Sequence, residues 1–215
     1  IPIRYDKIDL SLDSGNKRDD DLNYPPDDPI CRTDLIEVSA DGKRGFYDRS
    51  GQVIVPLSYE DRSRWADGSL AAGSNGRFGV YSRDGKVISS MKYRKVSDFN
   101  EDMAAVSSGD KYGFINKDGE KIIPEVYEEV RPFSEGMAAV KKDGKWGAVD
   151  IKGNIAVPFL YTETGSGYSN GLLAAKKDNA WGFIDKKGNV TVPFIYKQEE
   201  PCFHEDRAAV QDRNG

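Results

Sequence analysis

The groups in this chain that could do chemistry are one histidine, two cysteines and a surplus of carboxylates, 36 Asp and Glu against 31 Lys and Arg. A zinc site of the HExxH type needs two histidines on one face, and His204 stands alone, so multi-histidine metal sites are excluded. Cys202 and His204 are two positions apart and share a face if the segment is extended. A thiolate–imidazole nucleophile also needs a third group to orient the base, and none is evident. His204 therefore reads as a surface histidine. Cys31 and Cys202 form neither a disulfide framework nor a CxxC pair, and read as two free thiols.

The carboxylates fall into two sets. Asp19, Asp20 and Asp21, with Asp27 and Asp28, are oxygen donors of the kind calcium takes, but the D-x-[DN]-x-[DN]-G spacing and the closing Glu are absent. Pro25, Pro26 and Pro29 make the stretch an extended, solvated loop. Asp48, Asn116, Asp150 and Asp185 recur in one register just ahead of a glycine, which is turn chemistry rather than a paired acid and base. No GxxxxGK[ST] phosphate loop occurs. The expectation is a chain that is not an enzyme, with no catalytic residue, cofactor or metal.

The elements that carry these residues repeat. Gly45, Gly79, Gly113 and Gly147 stand 34 residues apart, and Gly182 follows after 35. An aromatic precedes four of them, as Phe78, Tyr112, Trp146 and Trp181, with Arg44 in the fifth slot. Pro56, Pro124, Pro158 and Pro193 keep the same phase, with Ser90 in the remaining unit, and a tyrosine follows three residues later as Tyr59, Tyr93, Tyr127, Tyr161 and Tyr196. Such self-similarity is the mark of a tandem repeat array. The units are 31–64, 65–98, 99–132, 133–167 and 168–202, flanked by partial units at 1–10 and 203–215, with residues 11–30 an acidic insertion.

Within a unit the pattern predicts three strands, such as 137–142, 145–150 and 154–158, joined by an Asp-Gly turn and by a four-residue loop closed by glycine. The spacer between Tyr127 and Gly136 is left as a short irregular crossing. The glycine after the aromatic is expected to let a neighbouring ring lie across its backbone. The aromatics themselves are expected in the core rather than on a ligand platform.

The segments KWGAVDIKGNIAVP (145–158), DNAWGFIDKKGNVTVP (178–193) and DKYGFINKDGEKIIP (110–124) resemble the bacterial WG repeat, also called the KWG repeat. The resemblance covers nearly all of 31–215 and part of 1–8; Arg44 and Ser90 depart from it. It implies a β-rich interaction module without a defined reaction.

The fold expected is all-β: three-stranded repeats forming an open β-superhelix or solenoid, with a closed propeller-like ring as the alternative. Two grounds favour the open form: three strands per unit where propeller blades have four, and a chain lacking one strand for a complete sixth unit. In a ring Cys31 and Cys202 would approach each other; in an open array five units separate them.

Composition bounds the partner. The net charge is −5, and six aspartates against Lys17 and Arg18 place −4 of it in residues 11–30, leaving −1 elsewhere. A nearly neutral array does not attract a polyanion, so nucleic acid is not expected. No run approaches the ~20 apolar residues needed to span a bilayer, so membrane insertion is not expected either. The chain begins at Ile1, and removal of a leader would place it in the cell envelope or outside the cell. The function expected is a binding or scaffolding module for another protein. The alternative is glycan or cell-wall recognition by exposed rings, which buried aromatics would undercut.

Overall fold

The structure, a computed structural model, describes residues 7–9, 35–48, 50–59, 61–66, 69–82, 86–197, 203–204 and 207–208. Cys31, Cys202, the acidic stretch 11–30 and the side chain of His204 lie outside the described residues. The described residues are strands joined by turns, bends and short irregular stretches, in two compact units, 1–92 and 93–215.

The first unit holds two antiparallel sheets. One runs β1 (Lys7–Asp9), β2 (Leu35–Ala40), β3 (Lys43–Asp48), β4 (Val53–Tyr59). The other runs β5 (Asp61–Ala66), β6 (Ser69–Ser74), β7 (Arg77–Ser82), β8 (Val87–Tyr93), its last residue opening the second unit. Phe46, Val55, Leu70, Ala72 and Tyr81 pack together between them.

The second unit holds three such sheets and a hairpin. The first comprises β9 (Lys95–Asn100), β10 (Met103–Ser107), β11 (Tyr112–Asn116) and β12 (Lys121–Tyr127). The next comprises β13 (Glu129–Val130), β14 (Met137–Lys142), β15 (Lys145–Asp150) and β16 (Ile155–Tyr161). The third comprises β17 (Glu163–Thr164), β18 (Leu172–Lys177), β19 (Ala180–Asp185) and β20 (Val190–Tyr196), and the hairpin pairs β21 (Phe203–His204) with β22 (Arg207–Ala208). Strands follow chain order in every sheet, and no sheet closes on itself. The fold is all-β and built of tandem antiparallel repeats.

Three details differ from the sequence reading. Each sheet has four strands rather than three, which removes strand count as a ground for the open form. The added strand comes from the spacer: Glu129 pairs with Lys141 and Val130 with Val140, so a sheet begins a few residues before the unit boundary drawn at 133. The third strand also runs on past its proline, to Tyr161. It lies at the sheet edge, where Pro158 takes no donor from a ladder, and a shift in register between Trp146 and Ala148 absorbs the extra residues.

Two tight turns with positive φ set this topology in the fourth repeat. Asp143 and Gly144 both have positive φ, 51° and 73°, and join β14 to β15. Glu135 and Gly136, at 52° and 79°, fold the spacer onto β14 through the Ser134–Met137 bridge.

Packing follows from period two. Met137, Ala138, Ala139 and Val140 are all buried, because β14 is central and covered on both faces. Met137 and Ala139 join Trp146, Ala148, Val157 and Tyr161 against Tyr168, Leu173, Ala175 and Ile184 of the next sheet. Ala138, Val140 and Val149 face the other way, toward Met103, Ala105, Phe114, Ile123 and Tyr127. The small Ala-Ala pair lets sheets approach closely from both sides.

Candidate interaction surface

The aromatic–glycine column is packing, not a platform. Trp146 and Trp181 are 3% and 2% exposed, while Phe78 and Tyr112 are half-buried. Two cations lie over Trp146, with the Arg131 guanidinium carbon 4.9 Å and Lys141 Nζ 5.8 Å from its ring centroid. The glycine beside it is needed chiefly because a backbone comes close. A Cβ on Gly147 would sit 2.6 Å from the Val157 carbonyl oxygen, and 3.0 Å from Cδ1 of Phe159. Gly182 repeats this with the Val192 oxygen at 2.6 Å and Phe194 at 3.0 Å. At Gly45 the nearest atoms are all backbone, from Val55 to Leu57; Gly79 meets the Ser89 oxygen at 2.9 Å, and Gly113 meets the Ile123 oxygen more closely still. The bulged third strand crosses over the glycine, and a ring is only its second neighbour.

The turn carboxylates are occupied. Asp150 Oδ1 accepts the N–H groups of Lys152 and Asn154 at 2.9 Å each, and Oδ2 accepts from Asn154 Nδ2. Asp185 does the same with Lys187 and Asn189, and Asn116 Oδ1 accepts from Asp118 and Glu120. The side-chain bonds from Asn154 and Asn189 hold the carboxyls of Asp150 and Asp185 below the usual carboxylate range. These groups close loops. The loop glycines Gly51, Gly119, Gly153 and Gly188 take the positive φ expected of them. Among the described residues no three His, Cys, Asp or Glu side chains converge as a metal site.

What the array leaves in solvent is the third strand. Its side chains alternate between buried positions, Val157 and Tyr161 in β16, and outward ones. Ile155 is 60% exposed, Leu160 50% and Val190 55%, with Ile195 and Val126 also in solvent. Val126, Leu160 and Ile195 occupy one column of the repeat, Ile155 and Val190 another. Ring pairs link successive third strands: Phe159 lies tilted 6.3 Å from Tyr127, and Phe194 stacks 5.8 Å from Tyr161. Neither β16 nor β20 contains a charged residue. The opposite edge is ionic, with Glu129 paired to Lys141 and Glu163 to Lys176.

The family model for the WG containing repeat matches residues 45–72, 78–112, 112–146, 146–179 and 181–215. The chain belongs to the WG-repeat family. No curated protein sequence matches it. Among solved structures it is similar to Hsv2 of Kluyveromyces lactis with loop 6CD replaced by a Gly-Ser linker, at 12% identity, TM-score 0.45, over 73% of this chain and 61% of that one. It is similar to a second structure of K. lactis Hsv2 at 10% identity, TM-score 0.42, over 74% and 59%. A third is PorZ, a bacterial surface component of the type-IX secretion system of Porphyromonas gingivalis, at 10% identity, TM-score 0.39, over 74% and 26%. The chain thus spans about three fifths of the Hsv2 chains.

Two features distinguish the WG units from one another. The slot that holds Leu57, Met91, Phe159 and Phe194 holds Glu125 in the third unit. Burial alone would raise the pKa of its carboxyl, but bonds from Lys121 Nζ at 2.7 Å, Ser108 N at 2.6 Å and Ser108 Oγ outweigh that and hold it low. Successive units are also stapled turn to turn. Glu101 accepts the Gly136 N–H at 2.7 Å, and Glu135 accepts the Gly171 N–H at 2.8 Å while pairing with Lys186 at 3.3 Å. Neither staple was anticipated, although acids at equivalent turn positions one repeat apart were visible.

Proposed function

We propose that the chain is a non-catalytic binding module for another protein, and that the apolar rim of β12, β16 and β20 is its contact surface. The observation that carries this is the row of solvent-exposed aliphatic side chains on these edge strands, of which β16 and β20 carry no charge and β12 carries only the paired Lys121 and Glu125. Edge strands of soluble proteins are ordinarily protected by charge. A contiguous exposed apolar patch marks a site of association, and interface centres are depleted in charge. Pro158 and Pro193 lack the N–H a ladder would use, which favours side-chain packing over strand addition. The buried Trp146 and Trp181 do not offer rings to a sugar, so glycan recognition is the weaker reading. The −5 net charge and the occupied turn acids argue against nucleic acid and catalysis.

A photo-crosslinking residue placed at Leu160, compared with one at exposed Lys152, tests the surface in the producing cell. A discrete protein adduct from position 160 alone is expected. The absence of any adduct, or the same adducts from both positions, would remove the rim as the contact surface.

A further inference from the structure

The sheet-ending strands β4, β12, β16 and β20 carry Pro56, Pro124, Pro158 and Pro193, whereas β8 carries Ser90 in that place. The close approach to the glycine column shows which way this position faces. A Cβ on Gly147 would meet the Val157 oxygen and the Phe159 nitrogen, the atoms on either side of Pro158. Gly45, Gly113 and Gly182 meet the same two atoms around Pro56, Pro124 and Pro193. Gly79 meets the Ser89 oxygen at 2.9 Å and the Met91 nitrogen at 3.3 Å. Backbone groups alternate in direction along a strand. The N–H and C=O of the residue between them therefore face away from the neighbouring strand. Proline is tolerated there because its missing N–H would join no ladder. Ser90 restores that N–H. Because β8 ends its sheet, the donor opens onto a free edge. The Ser90 side chain is exposed, and its carbonyl accepts a long, 3.4 Å bond from Ser89 Oγ. Arg77 Nη1 donates to the Lys92 carbonyl at 3.0 Å and closes the far end of the strand.

Charge is the second observation. Residues 86–92 read KVISSMK, with exposed Lys86 and Lys92 at the ends and no carboxylate between them. The other sheet-ending strands have no net charge: β4, β16 and β20 contain no charged residue, and β12 sets Lys121 against Glu125. An edge strand without proline is a template for another strand, and lysines guard such an edge against copies of itself. Two copies paired antiparallel here would bring Lys86 and Lys92 of opposite copies toward each other, and like charges across a ladder are unfavourable. The same two lysines favour a strand with acids at its ends.

We propose that β8 binds an extended acidic segment of another protein by strand addition. Ser90 exchanges backbone hydrogen bonds with the added strand, and Lys86 and Lys92 meet carboxylates roughly 20 Å apart, the length of six extended residues. Backbone bonds supply the affinity, and the terminal charges select the partner. This edge acts through its backbone, so it is independent of the aliphatic rim on β12, β16 and β20. Proline blocks the corresponding donor on β4, β12, β16 and β20.

The probe is a capped peptide of alternating Glu and Val, seven residues long, added to the full chain. A fully N-methylated twin and a twin with Lys in place of Glu serve as comparisons. Binding is read by fluorescence anisotropy of the labelled peptide and by amide hydrogen exchange at Ser90. Saturable binding with a Kd of about 1 mM or tighter is expected, with exchange at Ser90 slowed about tenfold at saturation. Ser90→Pro installs the residue the other units carry, so the thermal midpoint should hold while binding is lost. Ser90→Ala keeps the N–H and should bind as the parent does. Lys86→Gln should weaken binding about two- to fivefold. Leu160→Glu should leave it unchanged, which separates this edge from the rim. No saturable binding, or equal binding by Ser90→Pro or by either twin, would overturn the proposal. A dimer that Ser90→Pro dissociates would do the same by making a second copy the occupant, as would tighter binding after deletion of residues 11–30, by making that acidic segment the occupant.

Discussion

Gly147→Ala isolates the close approach on which every repeat depends. The new Cβ would lie 2.6 Å from the Val157 oxygen, 3.0 Å from Phe159 Cδ1 and 3.2 Å from Phe159 N. A relaxed carbon–oxygen contact is near ~3.3 Å, so the bulged strand must retreat by roughly 0.7 Å. Two of the obstacles are backbone atoms, which cannot rotate aside as a side-chain end does. Retreat of β16 weakens one or two ladder bonds, worth about 0.5–1.5 kcal/mol each, and loosens Phe159 from Tyr127. Against that, replacing glycine lowers unfolded-state entropy and recovers about 0.4–1 kcal/mol. The net expectation is a loss of about 1–3 kcal/mol, which for a chain of this size lowers the thermal midpoint by roughly 2–12 °C. Gly109→Ala is the internal control: its Cβ meets nothing within 4 Å and its φ is not positive, so the midpoint should hold or rise. Differential scanning calorimetry of both variants decides the matter. Midpoints for Gly147→Ala and Gly109→Ala that agree within a degree would refute the close-approach argument.

The other expectations concern the polar contacts. Glu135 is held below its usual pKa: burial opposes this, but the Gly171 N–H and Lys186 outweigh it. A depressed folded-state value means the staple is fully present above the unfolded value near 4.5 and is lost as pH falls through the lower folded value. Glu135→Gln should therefore flatten the acid limb of stability against pH below about 4.5, measured by urea unfolding across pH; an unchanged limb would mean that the contact is inert. Asp150→Ala removes three hydrogen bonds from an exposed loop and should cost about 1 kcal/mol, with faster amide exchange at Lys152 and Asn154 as the local readout. Glu125→Ala strands the Ser108 N–H and should cost about 1–3 kcal/mol in chemical unfolding, more than the same change at exposed Glu120.

The repeat, its length and its all-β character were legible in the chain because each depends on local chemistry. Asp143-Gly144 demands a primed turn wherever it occurs, and an aromatic–glycine pair every 34 or 35 residues can only be stacked units. The fourth strand was not legible: Glu129–Val130 and Glu163–Thr164 are two residues each, too short to alternate, and they become strands only because β14 and β18 offer unpaired edges. The glycine column was visible as a period, but the reason for it is tertiary, since the carbonyl that excludes a side chain belongs to a strand brought across by a bulge. The rim needed the structure most. IAVPFLY at 155–161 has the composition of a fully buried strand, and nothing in those seven residues says that β16 ends its sheet. Exposure is a property of what lies on the far side of a strand, and for Leu160 only the assembled sheet decides that there is solvent.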